Sequence, residues 1–379
     1  SKMIPVCEPE LGQDEVSNVL ACLKENAISG TSGHFIAQFE EMFSRYCGKR
    51  YGVSTSNGTT ALHLAIAALG IGEGDEVIVS AFTNAASVFG IIYNRAKPVI
   101  VDSEPETWNM DTRLIEAKIT RNTKALLPVH IYGHPCDMDP IMALAQKHHL
   151  YVIEDAAEAH GAEYKGKRCG GFGDVSCFSF YANKLITTGE GGMLVTDSAE
   201  IADRAKLLRN LAFSRRRRFL HDYIGFNYRM SNLHAAIGVA QMNKIDTFLQ
   251  RKRDIARKYN SLLKDVRGIT LPPEKPWAKS MYWMYSILIE DDYGMTRDEV
   301  MTHLAEKGIE TRTFFIPMNQ QPAFHKMGLF RDERCPVAED ISRKGLYLPS
   351  GVGLKDAQIE YICQVLREKK PGKRRRVNG

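Results

Sequence analysis

Four short stretches of the chain carry residue types that could do chemistry on an anionic ligand. Residues 54–60 read STSNGTT and lead into a helical pattern over 59–69. A small loop containing glycine lets backbone N–H groups approach an anion, and the start of a helix adds its positive dipole end. In that role Ser56, Asn57, Gly58 and Thr59 cradle a phosphate; the same letters also suit a plain helix N-cap at Asn57 or Thr59. Residues 178–192 read FSFYANKLITTGEGG. Ser179 is out of phase with Phe178 and Phe180, so its hydroxyl faces the opposite side of a strand and could reach the same phosphate. Lys184 emerges five residues later, before a GEGG turn that permits tight backbone geometry. Most lysines are solvated surface charges, but one withdrawn from water has a lowered pKa and a nucleophilic amine. Asp155 ends the strand-like run LYVIED, where an acid either faces a crevice or caps the segment that follows. In GFNYRMSN, residues 225–232, Asn227 and Arg229 suit an anionic ligand, or else a helix cap and a carboxylate pair.

Each feature alone has an ordinary explanation. Together they supply an anion cradle, a carboxylate and an amine, which are the three groups that pyridoxal 5′-phosphate needs. The phosphate is cradled, an acid keeps the ring nitrogen protonated, and a lysine bonds the carbonyl carbon.

The elements around these residues agree with such a site. Strand candidates at 76–79 (EVIV), 98–102 (PVIVD), 125–130 (ALLPVH) and 150–155 (LYVIED) alternate with helical stretches such as 59–69 and 141–149. Strands without period-2 alternation, separated by helices, predict a mainly parallel sheet covered on both faces, and hence an α/β domain. Ligands of such sheets bind outside the carboxyl ends of the strands. A pattern over 233–263 predicts one long helix connecting to a smaller α+β domain, with a strand at 282–289 and helices at 297–307 and 356–368. The expected organisation is a large cofactor-binding domain over 1–249, a small C-terminal domain over 250–368, and a basic, disordered tail over 369–379.

The net charge of +5 is mostly local: the last eleven residues, KKPGKRRRVNG, carry six positive side chains and leave the rest near −1. A charged tail with Pro and Gly reads as a disordered end rather than a nucleic-acid reader. No apolar run reaches the roughly 18–20 residues that span a bilayer, and the start SKMIPVCEPELG lacks the apolar core of a signal peptide. Eight cysteines are scattered, with no Cys/His cluster of metal-ligand spacing. These features predict a cytoplasmic protein without a metal site.

The blocks IPVCEPELG, SNGTTALHLAIAALGIGEGDEVIVS, VHIYGHPCDMD, VIEDAAEAHGAEYKGKRCGGFGDVSCFSFYANKLITTGEGGMLVTD and GFNYRMSNLHAAIGVAQM occur in this order over most of residues 4–365. In them the chain resembles the DegT/DnrJ/EryC1/StrS family of sugar-nucleotide aminotransferases. The resemblance implies the fold-type-I architecture of aspartate aminotransferase, with pyridoxal 5′-phosphate as cofactor and pyridoxamine 5′-phosphate between half-reactions. It makes Lys184 the Schiff-base lysine, Asp155 the partner of the pyridine nitrogen and Glu158 the neighbour of the ring hydroxyl. Gly58, Thr59 and Ser179 would hold the phosphate, with Asn227 reaching it from a partner subunit, so a homodimer with shared sites is implied. Relatives with histidine in place of this lysine dehydrate sugars instead.

Within the family, VDSEPETWNM, HIYGHPCDMD, YANKLITTGEGG and HDYIGFNYRM are most similar to members that aminate C4 of GDP-4-keto-6-deoxymannose with L-glutamate as donor. The alternatives are C4 or C3 amination of a dTDP- or UDP-linked keto sugar, or a regulatory relative that uses the basic tail. Asn84 stands where the family usually has an aromatic, Asn319 where many of these members have histidine, and Cys7 where tyrosine is common. Substrate contacts are expected from Asn84, Arg217, Arg218, His221, Arg229 and Asn319. The run Arg215–Arg218 suits either a diphosphate clamp, since guanidinium groups match phosphate oxygens, or a solvated loop.

Overall fold

Apolar runs with no polar face become strands that are buried on both sides. In the computed structural model, which describes residues 2–369, seven of them form one sheet: β1 Tyr51–Thr55, β2 Glu76–Ser80, β3 Lys97–Val101, β4 Thr123–Leu127, β5 Tyr151–Asp155, β6 Val175–Ser179 and β7 Gly192–Thr196. From residue 370 onward the basic tail, expected to be disordered, lies outside the described residues.

The sheet order is β1-β7-β6-β5-β4-β2-β3. Neighbours from β6 to β3 run parallel, and β7 runs antiparallel to both of its neighbours. The chain is therefore α/β with a mainly parallel sheet. Every residue of β6 and β7 is buried, as sheets covered on both faces require. The helix Gly58–Ala68, GTTALHLAIAA, buries residues on nearly every side because it is wedged among other elements rather than lying on the surface.

Register brings the functional ends together. Asp155 pairs with Cys177 in the β5–β6 ladder, so Asp155 and Ser179 lie at one rim of the sheet. Thr55 pairs with Gly192 and Ser179 also pairs with Gly192, so the loop after β1 reaches the same rim. Beneath the rim, Glu154 points to the other face of β5. It accepts hydrogen bonds from Gly170 N, Phe172 N, Gly173 N, Ser176 Oγ and His130 Nε2 at 2.7–2.9 Å. Burial alone would raise its pKa, but His130 and the backbone donors outweigh it and hold the carboxyl at about 2. This knot fixes the loop between β5 and β6.

The expected single helix over 233–263 is two, Asn232–Met242 and Ile245–Leu263. No Gly or Pro marks the break. The cause is tertiary: Lys244 Nζ reaches both oxygens of the buried Glu15 at 2.7 and 2.9 Å, and Gln241 Nε2 bonds the same carboxylate at 2.8 Å. The second helix leads to a four-stranded antiparallel sheet of β8 Ile269–Thr270, β9 Tyr285–Ile289, β10 Arg312–Thr313 and β11 Gly345–Leu348, in the order β8-β9-β11-β10. Its core includes Tyr259, Tyr285, Ile287, Leu346 and Ile359. Strand β9 starts three residues later than the pattern predicts because Tyr282 takes a left-handed φ of 49°, which breaks extended pairing.

Candidate active site

The loops after β1, β5 and β6 open into a cavity of about 850 Å³. Of the residues singled out in the sequence, Asn57, Gly58, Thr59, Asn84, Asp155, Glu158, Ser179 and Lys184 line it.

The cradle is built at the start of the helix Gly58–Ala68. Asn57 serves as its cap: Oδ1 accepts from Thr60 N at 2.8 Å, while Asn57 N donates to Thr60 Oγ1 at 3.1 Å. Capping occupies this side chain, and the first-turn N–H groups of Gly58 and Thr59 are left to meet an anion. A Cβ on Gly58 would lie 2.9 Å from Ser179 Cβ and 3.4 Å from its Oγ, so glycine is what lets the two loops close on one another. Ser179 Oγ accepts from Tyr181 N at 3.2 Å and has its own proton to give. Its carbonyl takes a hydrogen bond of 2.8 Å from His160 Nε2. His160 is buried against Phe43, Phe178 and Phe180. Burial, aided by the charge of Lys184, pushes its pKa down to about 3, so the ring is neutral.

The acid side is equally organised. Asp155 Oδ2 accepts from Ser87 Oγ at 2.6 Å, and Ser87 in turn contacts Thr83 Oγ1 at 2.8 Å. Asp155 Oδ1 accepts from Ala157 N at 3.2 Å. Burial raises the pKa of Asp155 despite the Ser87 hydroxyl, the Ala157 N–H and the charge of Lys184. Such a carboxylate is short of a cation, which a protonated ring nitrogen would supply. Glu158 Oε1 accepts from Tyr132 N at 2.9 Å, and burial raises this carboxyl as well. Tyr132 presents that N–H from a left-handed φ of 54°, a conformation that costs energy in a residue bearing a ring.

Lys184 is half-buried and lines the cavity, with Nζ 4.1 Å from the ring centroid of Trp283. Withdrawal from bulk water lowers its pKa, while Glu158, Asp155 and Cys7 pull it back up. The residues present therefore fit a pyridoxal phosphate: a glycine-gated anion cradle, a buried acid lacking a cation and a desolvated amine. They could form a covalent bond to a carbonyl and shuttle a proton beside it.

Other expected residues lie elsewhere in this chain. Ser56 N donates to Tyr228 O at 3.1 Å, and its hydroxyl meets Thr60 Oγ1 at 3.3 Å, outside the cavity lining. Arg229 Nη1 donates to Asn210 Oδ1 at 2.6 Å, and exposed Asn227 forms a bridge with Asn210. The arginine loop is exposed: Arg216 pairs with Asp222 at 2.7 Å, Arg218 lies over Phe219, and His221 packs on Phe213. Arg217 is exposed on the same loop. Asn319 is buried, donating from Nδ2 to Glu333 O at 3.0 Å. Asn84 sits at the cavity rim, where its Oδ1 accepts from Ala86 N at 3.0 Å.

The sequence reading missed Thr83, Ser87, Trp283, Arg312 and Tyr347. Arg312 and Tyr347 are cross-strand partners on β10 and β11 and share one cavity wall. Ser87 carried a usable signal, a hydroxyl in an otherwise apolar helix start. The strand residues carried none without the tertiary fold.

Comparison with known proteins matches residues 9–367 to the DegT/DnrJ/EryC1/StrS aminotransferase family. The chain belongs to this family. GDP-perosamine synthase of Escherichia coli O157:H7 is 45% identical over 97% of this chain and 98% of its own length. DesV of S. venezuelae, whose crystal structure is known, is 35% identical with a TM-score of 0.90, covering 97% of this chain and 98% of that one. Spr1654 of Streptococcus pneumoniae, solved in PMP, PLP and apo forms, superposes on this chain with TM-scores of 0.90–0.91 at 26% identity. In its PMP form the overlap is 97% of each chain.

Proposed function

We propose that the protein is a pyridoxal 5′-phosphate-dependent aminotransferase that moves the amino group of L-glutamate to C4 of GDP-4-keto-6-deoxymannose, giving GDP-perosamine. The observation that carries the reaction class is the desolvated amine of Lys184 in one cavity with Asp155 and the cradle of Gly58, Thr59 and Ser179. Similarity to GDP-perosamine synthases over nearly the whole chain supports the choice of sugar.

Bound cofactor supplies an electrophilic carbonyl carbon and a ring that accepts the electron pair released at a neighbouring carbon. The chain's residues do the rest. The N–H groups of Gly58 and Thr59 and the Ser179 hydroxyl would bind the phosphate. Asp155 would hold a proton at the ring nitrogen, and Glu158 would neighbour the ring hydroxyl. Lys184 would hold the cofactor through Nζ, and its amine, once displaced from that bond by the amine of the donor, would take the donor's α-proton as base and return it as acid. The order reverses with the keto sugar, so ping-pong kinetics follow. A coupled assay with glutamate and a panel of 4-keto sugar nucleotides, with products read by NMR, tests the reading. Amination of only dTDP- or UDP-linked sugars would overturn the substrate.

A homodimer is part of this reading. Asn227 lies outside its own chain's cavity, and the neighbouring loop exposes Phe219 and Ile224, the latter 93% exposed. A partner subunit covering that loop would bring Asn227 and the arginine run to the other copy's site. Replacing Arg217 and Arg218 together with alanine should raise KM for the sugar nucleotide about tenfold with kcat little changed; steady-state kinetics check this. The eight cysteines are all free, which fits the reducing cytoplasm. Among the described residues no helix is long and apolar enough to cross a membrane.

Gly58→Ala should weaken cofactor binding roughly tenfold. The new methyl pushes Ser179 away at a cost of about 1–3 kcal/mol, and absorbance titration of the apoenzyme measures the loss.

A further inference from the structure

One group facing Lys184 has no role in the scheme above: the indole of Trp283. It is 4% exposed and is held on three sides. Its Nε1–H donates to the carbonyl of Asn183, the residue before Lys184, at 2.8 Å. Its backbone N–H donates to Tyr132 O at 3.1 Å. Its carbonyl accepts from Nζ of the buried Lys252 at 2.8 Å, and that amine also donates to Ser350 O at 2.9 Å. The ring thus grips the peptide that carries Lys184 with its edge and meets the Lys184 amine, 4.1 Å from its centroid, with its face.

An indole face attracts an ammonium through its quadrupole. If Lys184 is the covalent carrier, as the proposed function has it, its amine must be free for part of each cycle. A free, flexible amine would wander or collapse onto the nearby carboxylates. We propose that Trp283 is a positioning residue whose indole face docks the free Lys184 amine between its two bonding events and holds it as the ammonium that it becomes once it has taken the donor's α-proton.

The surrounding charges show why an aromatic face suits this task. Asp155 faces Nζ from the end of β5, Glu158 from the segment after it, and Cys7 from the N-terminal segment. His160 is neutral, and Arg312 lines the same cavity from β10. When the cofactor's ring nitrogen pairs with Asp155, that anion is no longer available to the amine. The attraction of the indole does not titrate, so the docked position persists in both cofactor states. Burial keeps the ammonium weakly held, and its proton remains transferable.

The test measures Lys184 in the apoenzyme by pH-dependent competitive acetylation with acetic anhydride, followed by mass spectrometry of the peptide that contains it. The protein is prepared with ordinary tryptophan and with a series of fluorotryptophans, which weaken the attraction of the ring face while preserving its shape and N–H. Trp108 and Trp277 are also labelled but do not line this cavity. The pKa of Lys184 should fall stepwise with fluorine count, by roughly 0.5–1 unit across the series. The acid limb of the half-reaction with glutamate should move down with it. Trp283→Phe should fall between ordinary tryptophan and Trp283→Leu. An apoenzyme pKa that is indifferent to fluorination overturns the docking role. Because the labelling uses neither cofactor nor sugar, a failed transamination assay with an intact fluorine trend would count against the proposed reaction and not against the contact.

Discussion

Lys184→Ala should retain the fold and non-covalent cofactor binding but lose turnover by about four orders of magnitude or more, since both the covalent carrier and the acid–base group disappear. The side chain makes no structural bond that the fold depends on: its amine rests on Trp283, and its backbone N–H, which donates to Tyr181 O at 3.0 Å, survives the change. The cradle of Gly58, Thr59 and Ser179 and the acid at Asp155 remain in place. The long-wavelength absorbance of covalently held cofactor should vanish, while dialysis should still show cofactor retained at reduced affinity. Lys184→Arg sharpens the test, because it keeps a cation near Trp283 and Glu158 but cannot form the bond, and it should be as inactive as alanine. Full activity in either variant would return Lys184 to the solvated charge that most lysines are.

How much of this site could be read from the letters depends on distance along the chain. Asp155, Ser179 and Lys184 were legible because a parallel sheet puts the ends of adjacent strands at one rim, and each residue follows a recognisable strand. Asn57 and Gly58 were legible because a small loop containing glycine leads there into a helical pattern, although the structure divides their work: Asn57 caps the helix and Gly58 opens the space for Ser179. Trp283 could not be placed, because it sits in an apolar run, YWMYSILI, that reads as a strand. Only the left-handed turn at Tyr282 and the bond from Lys252 to its carbonyl bring it over Lys184. The break between the helices Asn232–Met242 and Ile245–Leu263 was equally hidden. Its cause is Glu15, more than two hundred residues away, and helix propensity says nothing about it.

Asp155→Asn should separate function from stability. Activity should fall by about 10²–10³-fold, comparable to removing another preorganised electrostatic group from an active site, because a neutral amide cannot hold a proton on the ring nitrogen. The apoenzyme should become more stable at pH 7. Burial raises the folded-state pKa of Asp155 above its unfolded value of 3.8, so the folded state favours the protonated form. The associated stability is fully present below the unfolded pKa. It is lost as pH rises through the folded pKa, where the acid ionises without a cation. Asparagine removes that penalty and can still bond its neighbours: Oδ1 accepts from Ala157 N while Nδ2 donates to Ser87 Oγ, which is free to turn its own proton toward Thr83. The melting temperatures of the two apoenzymes should therefore converge at acid pH and diverge at neutral pH, with the variant higher. A variant that loses activity and stability together at pH 7 would mean that Asp155 serves chiefly as the cap of the segment after β5. In that case the acid for the ring nitrogen would have to be sought at Glu158.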